Sequence, residues 1–216
     1  GKHSIGIKGE MNMNLKESYR YANFLEDLLD SATNYLCRDD FVTTTKEDHL
    51  RSKANKDAED ELGVVVAKQI DVDFTPNQVI DFIVKVVEEK EKLFTAIADA
   101  KATTEINIDN AISLNKRKQS IVSVFQTLAN RKPKEFQTTG RDYKFDVNGE
   151  QKPYNYNINR ITSIDYDRNA VKNLIKKYRK ECDEISAKLD EIEINTQVFH
   201  DCLFDINDSF EDLVVG

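Results

Sequence analysis

The run 167-DRNAVKNLIKKYRKECDEISAKLDEIEINT-196 decides how the rest of the chain is read. Val171, Ile175, Tyr178, Cys182, Ile185, Leu189 and Ile192 recur at alternating spacings of four and three, with charge at most other positions. That spacing is the apolar seam of a heptad repeat, because it keeps all these side chains on one side of a helix. At ~1.5 Å per residue such a helix is about 45 Å long. It outreaches a small domain, and its seam needs another helix to cover it.

Partners for that seam occur earlier in the chain. Over 14–36, Leu15, Ala22, Leu29 and Leu36 hold one heptad position, Leu25 and Ala32 the other, and Tyr19, Leu28 and Tyr35 widen the stripe. Ser18 falls on the seam and weakens the first turn. Thr75-Pro76 is a start signal, a capping hydroxyl followed by proline at the first helical position. The helix it opens runs to about Ala102, with Val79, Ile83, Val86, Leu93, Ile97 and Ala100 inward, Val87 and Phe94 widening the face, and residues 88–92 as a solvated turn. Asp109 or Asn110 caps a further helix to about Asn130, apolar at Ile112, Leu114, Ile121, Val124, Phe125 and Leu128.

The segments between are less regular. Residues 37–45 form a polar break, and 46–61 are charged with only Leu50, Ala54 and Ala58 to bury, which predicts a solvated helix or a mobile insert. The β-branched run 63–74 reads as a short strand or the approach to the next helix. Over 138–164, Tyr143, Phe145 and Val147, then Tyr154, Tyr156 and Ile158, alternate around Asn148-Gly149, the pattern of a β-hairpin. Two strands alone are marginal in water, so this hairpin is expected to lean on the helices or pair in a dimer. The apolar tail beyond Thr196 is expected to fold back over the bundle. The predicted fold is mainly α: an antiparallel bundle of long coiled-coil-like helices with one β-hairpin inserted before the last long helix. Residues 1–13 read as an N-terminal extension or cloning remnant, with Met11 or Met13 as the native start. Residues 14–216 read as one helical domain, with a charged insert at about 37–74 and the hairpin at about 138–164.

Composition agrees with long amphipathic helices: 32% charged residues, 39% hydrophobic, no Trp, 3 Pro and 7 Gly among 216 residues. The net charge of −8 repels phosphate backbones, which disfavours nucleic acid and anionic membranes as partners. Cys37, Cys182 and Cys202 are odd in number and widely spaced, so reduced thiols in the cytoplasm are expected rather than disulfides. No run approaches a membrane span, and no signal peptide is expected, since residues 1–10 lack an apolar h-region. The bias toward Asn, Lys and Ile is typical of AT-rich genomes, such as low-GC bacteria and their phages.

No catalytic or metal-binding constellation emerges, and no cofactor is implied. His3, His49 and His200 are isolated from one another and from metal-ligand spacings. His200 and Cys202 would share a face if the tail were a strand, a conceivable nucleophilic pair, although a packed tail explains both. Glu181, Asp183, Glu184, Asp190, Glu191 and Glu193 suit a solvated helix face with partners such as Lys188.

Basic residues offer more. Arg117 and Lys118 beside Lys116, and Lys172 and Lys176 among Lys177, Arg179 and Lys180, lie on two helices that an antiparallel bundle sets side by side. Thr103, Thr104, Asn107 and Asn110 add neutral donors near a helix start, which favours anions. They define a candidate anion- or partner-binding site, against which stands the simpler reading of lysines balancing neighbouring acids.

Two stretches, 93-LFTAIADAKATTEINIDNAISLNKRK-118 and 161-ITSIDYD-167 with the long helix after it, resemble the septicolysin-like family of small bacterial helical proteins. The first resembles that family's helix, threonine-containing turn and helix with a basic pair. The second resembles its closing strand, acidic cap and amphipathic helix, and the helix from Leu15 to Leu36 resembles its opening one. The resemblance spans about two thirds of the chain. This sequence departs from the pattern at 37–74, lacks glycines in the turn at 103–110, and has no Trp-containing tail. The resemblance implies a helical coiled-coil protein, and no residue here carries the lytic activity that the family name implies.

The functional expectation is a non-enzymatic interaction protein that forms a homo-oligomer and binds another protein. The alternative is a protein that holds a phosphorylated, nucleotide-like small molecule in a basic pocket. Nucleic-acid binding through residues 172–180 ranks below both because of the acidic balance.

Overall fold

The computed structural model describes residues 12–216, of which 54% are helix and 19% strand. The strands form three separate two-stranded antiparallel sheets. The chain is therefore mixed α/β, which corrects the expected mainly α bundle with a single hairpin. It divides into two compact units, one made of the chain up to Asn107 together with Asp190–Gly216, the other of Ile108–Leu189. Of the extension expected over 1–13, residues 1–11 lie outside the described residues, while Asn12 and Met13 begin a strand.

In the first unit, β1 (Asn12–Asn14) runs into α1 (Leu15–Leu36), which Asn14 caps by accepting the Glu17 N–H at 2.8 Å while Glu17 reaches back. This reciprocal cap satisfies two donors that the first turn leaves open. α3 (Pro76–Lys101) starts on the predicted signal, with Thr75 and Gln78 forming the same kind of box. The two helices run antiparallel: Tyr35 lies beside Phe74 at the start of α3, and Lys101 sits over Tyr19 at its end. Leu15, Leu25, Val79, Val86 and Leu93 are fully buried, each worth about 1.5–3 kcal/mol of burial.

Two corrections concern this unit. The charged segment is a hairpin and not a helix: β2 (Lys46–His49) and β3 (Glu61–Val65) pair around a 3₁₀ turn at Arg51–Lys53. Its apolar residues Leu62, Val65 and Val66 are left exposed, and polar contacts hold this hairpin. Arg51 meets Glu61 at 2.9 Å, Asp60 accepts the Ser52 N–H, and Asp48 accepts the N–H of Gly63, whose φ of +67° a side chain would resist. The polar break contains a short helix, α2 (Asp39–Val42), whose Phe41 is buried.

The tail folds back as expected, but as part of this unit. β6 (Gln197–Phe199) pairs with β1, Val198 opposite Met13, both buried. α6 (Phe210–Val214) then places Phe210 among Tyr35, Phe74 and Phe82 at ring distances of 5.4–5.6 Å.

In the second unit, α4 (Ile108–Asn130) starts earlier than the predicted cap at Asp109 or Asn110. It packs antiparallel to α5 (Arg168–Asn195), whose residues up to Leu189 belong here. The core is small: Val122, Val171 and Ile175, with Phe125, Leu128, Ala129, Tyr166 and Tyr178 against them. Polar pairs extend the contact, Asn115 to Ser186 at 3.0 Å and Tyr166 Oη to the Leu128 carbonyl at 2.6 Å. The α5 seam is buried at Val171, Ile175, Cys182 and Leu189. Leu114 and Val124 of α4, predicted inward, are 58% and 60% exposed. β4 (Lys134–Phe145) and β5 (Gln151–Thr162) form a hairpin longer than the alternation showed. Its turn is built by Asp146, whose carboxylate accepts the Asn148 and Glu150 N–H groups, and by Gly149 at φ +75°.

Candidate functional site

The first unit contains a buried polar cluster that the sequence reading missed. Glu89, expected in a solvated turn, is 4% exposed. It accepts the Tyr21 hydroxyl at 2.6 Å and the Leu203 N–H at 2.5 Å, and His200 Nε2 lies 3.0 Å from its other oxygen without hydrogen-bonding geometry. Tyr21 Oη in turn accepts the Phe204 N–H at 3.3 Å. The signal was available: Val79, Phe82, Val86, Glu89 and Leu93 keep the spacing of three and four. Burial, then the hydrogen bond to Glu89, raises the pKa of Tyr21 far above the usual phenol range. Burial, helped by the Glu89 charge, pushes the Cys202 thiol up to about 11. A thiol held protonated is a poor nucleophile, and His200 is turned to Glu89, so the conceivable His200–Cys202 pair does not form. A cavity of about 480 Å³ beside the cluster is lined by Glu17, Arg20, Tyr21, Cys202, Asp205 and Asn207 among others. The cluster ties the tail to α1 and α3. Among the described residues, no three His, Cys, Asp or Glu side chains converge to hold a metal ion.

The eight sequence-predicted site residues fall in both units and are described unit by unit. In the first, the Thr103 hydroxyl donates to the Ala100 carbonyl at 2.7 Å and that of Thr104 to the Lys101 and Ile106 carbonyls at 2.8 Å. These hydroxyls close the end of α3. Asn107 has an interaction of its own.

In the second unit, Asn110 is likewise engaged. Lys118 lies 2.8 Å from Glu181 and over the Tyr178 ring. Their hydrogen bond raises the pKa of Lys118 and lowers that of Glu181, so this charge is neutralised. Arg117 is exposed. Lys172 and Lys176 share a groove that neither Arg117 nor Lys118 lines. With Arg179, Gln126, Asn130, Ala129 and Ile175 they line an open groove of about 530 Å³. Three cations and two amides therefore face one hollow, and no ion pair occupies these cations among the described residues.

Charge is divided between the units. Ile108–Leu189 carries 17 Lys and Arg against 10 Asp and Glu, net +7, while the rest of the chain carries 14 against 29, net −15. The overall −8 that disfavoured polyanions is a sum over two oppositely charged units.

The β4–β5 ribbon belongs to the basic unit and exposes most of its 24 residues. Paired residues share a face. One face carries Lys134, Phe136, Thr138, Gly140, Asp142 and Lys144 from β4, with Lys152, Tyr154, Tyr156, Ile158, Arg160 and Thr162 opposite them. It holds four cations to one acid. The opposite face has one of each, Arg141 and Glu135. On the basic face Arg160 lies over Phe136 at 5.3 Å, Lys144 over Tyr154 at 5.9 Å, and the Tyr154 and Tyr156 rings are 6.3 Å apart. Tyr156 lies across Gly140, where a β-carbon would stand 2.4 Å from the ring.

Among the described residues no helix is long and apolar enough to cross a membrane. No protein-family model matches the chain, and no curated protein or solved structure matches it significantly.

Proposed function

We propose that this chain is a non-enzymatic binding protein whose basic unit holds a phosphate-bearing polyanion. The observation that carries the reading is the division of charge, +7 on Ile108–Leu189 against −15 elsewhere. Such a field concentrates anions at one surface and repels them from the other. Lys172, Lys176 and Arg179 at their shared groove supply charges not spent on acids, and Gln126 and Asn130 supply neutral donors. A linear polyanion suits this open groove better than the compact nucleotide-like ligand of the alternative expectation, since the groove has no closed wall to bury a base.

The test is binding of inorganic polyphosphate by the full chain, followed by displacement of a fluorescent polyanion at two salt concentrations. The double reversal Lys172→Glu/Lys176→Glu is expected to weaken binding roughly tenfold or more and to flatten the salt dependence. The matched reversal Lys85→Glu/Lys92→Glu in the acidic unit should leave it unchanged. Equal losses from both pairs overturn the reading.

A second reading, self-association, is favoured by one observation. Ile80, Val84, Val87 and Phe94 of α3 are 40–54% exposed at spacings of four, three and seven. They form an apolar seam on the side of α3 away from its buried stripe, of the kind that pairs helices between copies.

A further inference from the structure

We propose that the basic face of the β4–β5 ribbon binds single-stranded nucleic acid, with bases on Tyr156, Tyr154 and Phe136 and phosphates on Lys144, Arg160 and Lys134. This rests on the polyanion reading and names the polyanion. Cations identify an anionic partner, and aromatic rings interleaved with them identify one that carries flat unpaired bases. The Tyr154–Tyr156 spacing of 6.3 Å is near twice the ~3.4 Å rise per stacked base, so each ring meets a separate base of an extended strand. A duplex hides its base faces and gains nothing from the rings.

The free ribbon is prepared for this exchange. Lys144 and Arg160 lie over Tyr154 and Phe136, and an exposed cation–π contact is weaker than a base stacked on a ring. A base displaces the cation from the ring, and the freed cation reaches the adjoining phosphate. Gly140 leaves room for the tip of the Tyr156 ring, and that residue stays 45% exposed. A hairpin that exposes both faces gains little stability from burial, whereas a bound strand would cover the basic one.

The experiment measures anisotropy of the full chain with labelled oligo(dT) of about 20 nucleotides, with a duplex of the same length, and with inorganic polyphosphate as competitor. Oligo(dT) should bind more tightly than the duplex. Tyr154→Ala/Tyr156→Ala should lose roughly tenfold or more with an unchanged salt slope, while Lys144→Ala/Arg160→Ala should lower the slope by about 0.7 per phosphate contact removed. Tyr143→Ala/Phe145→Ala on the opposite face should change affinity less than about twofold. Tyr154→Leu/Tyr156→Leu keeps apolar cover on the ribbon while removing the stacking rings. It should lose as much as the alanine pair, even if the latter loosens the hairpin. Oligo(dT) affinity within twofold of the parent in the leucine pair, or a duplex bound as tightly as oligo(dT), overturns the assignment. If Lys172→Ala/Lys176→Ala still weakens polyphosphate in that case, the polyanion reading stands and only the ribbon assignment fails. If no polyanion binds the parent chain, both fail.

Discussion

Removing one hydroxyl from the buried cluster tests what fastens the C-terminal tail. In Tyr21→Phe the ring stays in place, 3% exposed, and only the Oη contacts are lost. The Tyr21 hydroxyl donates to Glu89 at 2.6 Å and accepts the Phe204 N–H at 3.3 Å. A hydrogen bond to a charged group contributes about 1.5–3 kcal/mol, and an unpaired buried amide costs on the order of 1 kcal/mol more. The expected destabilisation is therefore about 2.5–4 kcal/mol, or roughly 5–16 °C in Tm for a chain of this size. Glu89→Ala should cost more, about 3–5 kcal/mol, because it also strands the Leu203 N–H. Calorimetry gives the global loss. Amide hydrogen exchange gives the local one, with the Leu203 and Phe204 amides expected to exchange on the order of thirtyfold faster or more in Tyr21→Phe. A Tm within about 2 °C of the parent, with unchanged protection at both amides, would refute the claim that this network fastens the tail.

Other expectations follow from the same geometry. Phe210→Ala removes a ring packed against Tyr35, Phe74 and Phe82, and should cost about 3–5 kcal/mol by urea unfolding while opening the tail to proteolysis. With its pKa pushed up to about 11, Cys202 is roughly one part in a thousand thiolate at pH 8, so iodoacetamide should label the exposed Cys37 well before it. The raised Tyr21 and Cys202 values mean that the folded state holds these protons more tightly than the unfolded chain. Their stabilising contribution is complete below about pH 9 and is lost as pH rises through 9–11 and beyond, which urea midpoints across that range would show. Val84→Glu/Val87→Glu should abolish self-association in sedimentation velocity while shifting Tm little, since both side chains are largely exposed.

The basic site was partly legible. Lys172 and Lys176 project from the same side of α5 because they are four residues apart, so their grouping needed no tertiary knowledge. Lys118 looked equivalent until Glu181 came within 2.8 Å of it. Thr103 and Thr104 looked like ligand donors, but their hydroxyls serve the end of α3, the usual local competition of Ser and Thr side chains for free carbonyls. The ribbon's alternation showed a hairpin. Which residues share its basic face depended on the register, Tyr156 opposite Gly140 and Arg160 opposite Phe136, and a one-residue slip would have exchanged the faces.

By itself the sequence determined the long helices, their starts at Asn14, Thr75 and Asp167, the apolar seam of α5, and the turn at Gly149. Caps, heptad spacing and turn residues act within a few positions of one another, so the chain states them locally. Only the tertiary structure decided that α1 pairs with α3 and α4 with α5, that β6 closes on β1, and that Glu89 lies under Tyr21 instead of in water. Any apolar stripe can cover any other, so the pairing is chosen by the burial of the whole set and not by a local pattern. The same division of the chain turned a uniformly acidic composition into one acidic and one basic unit.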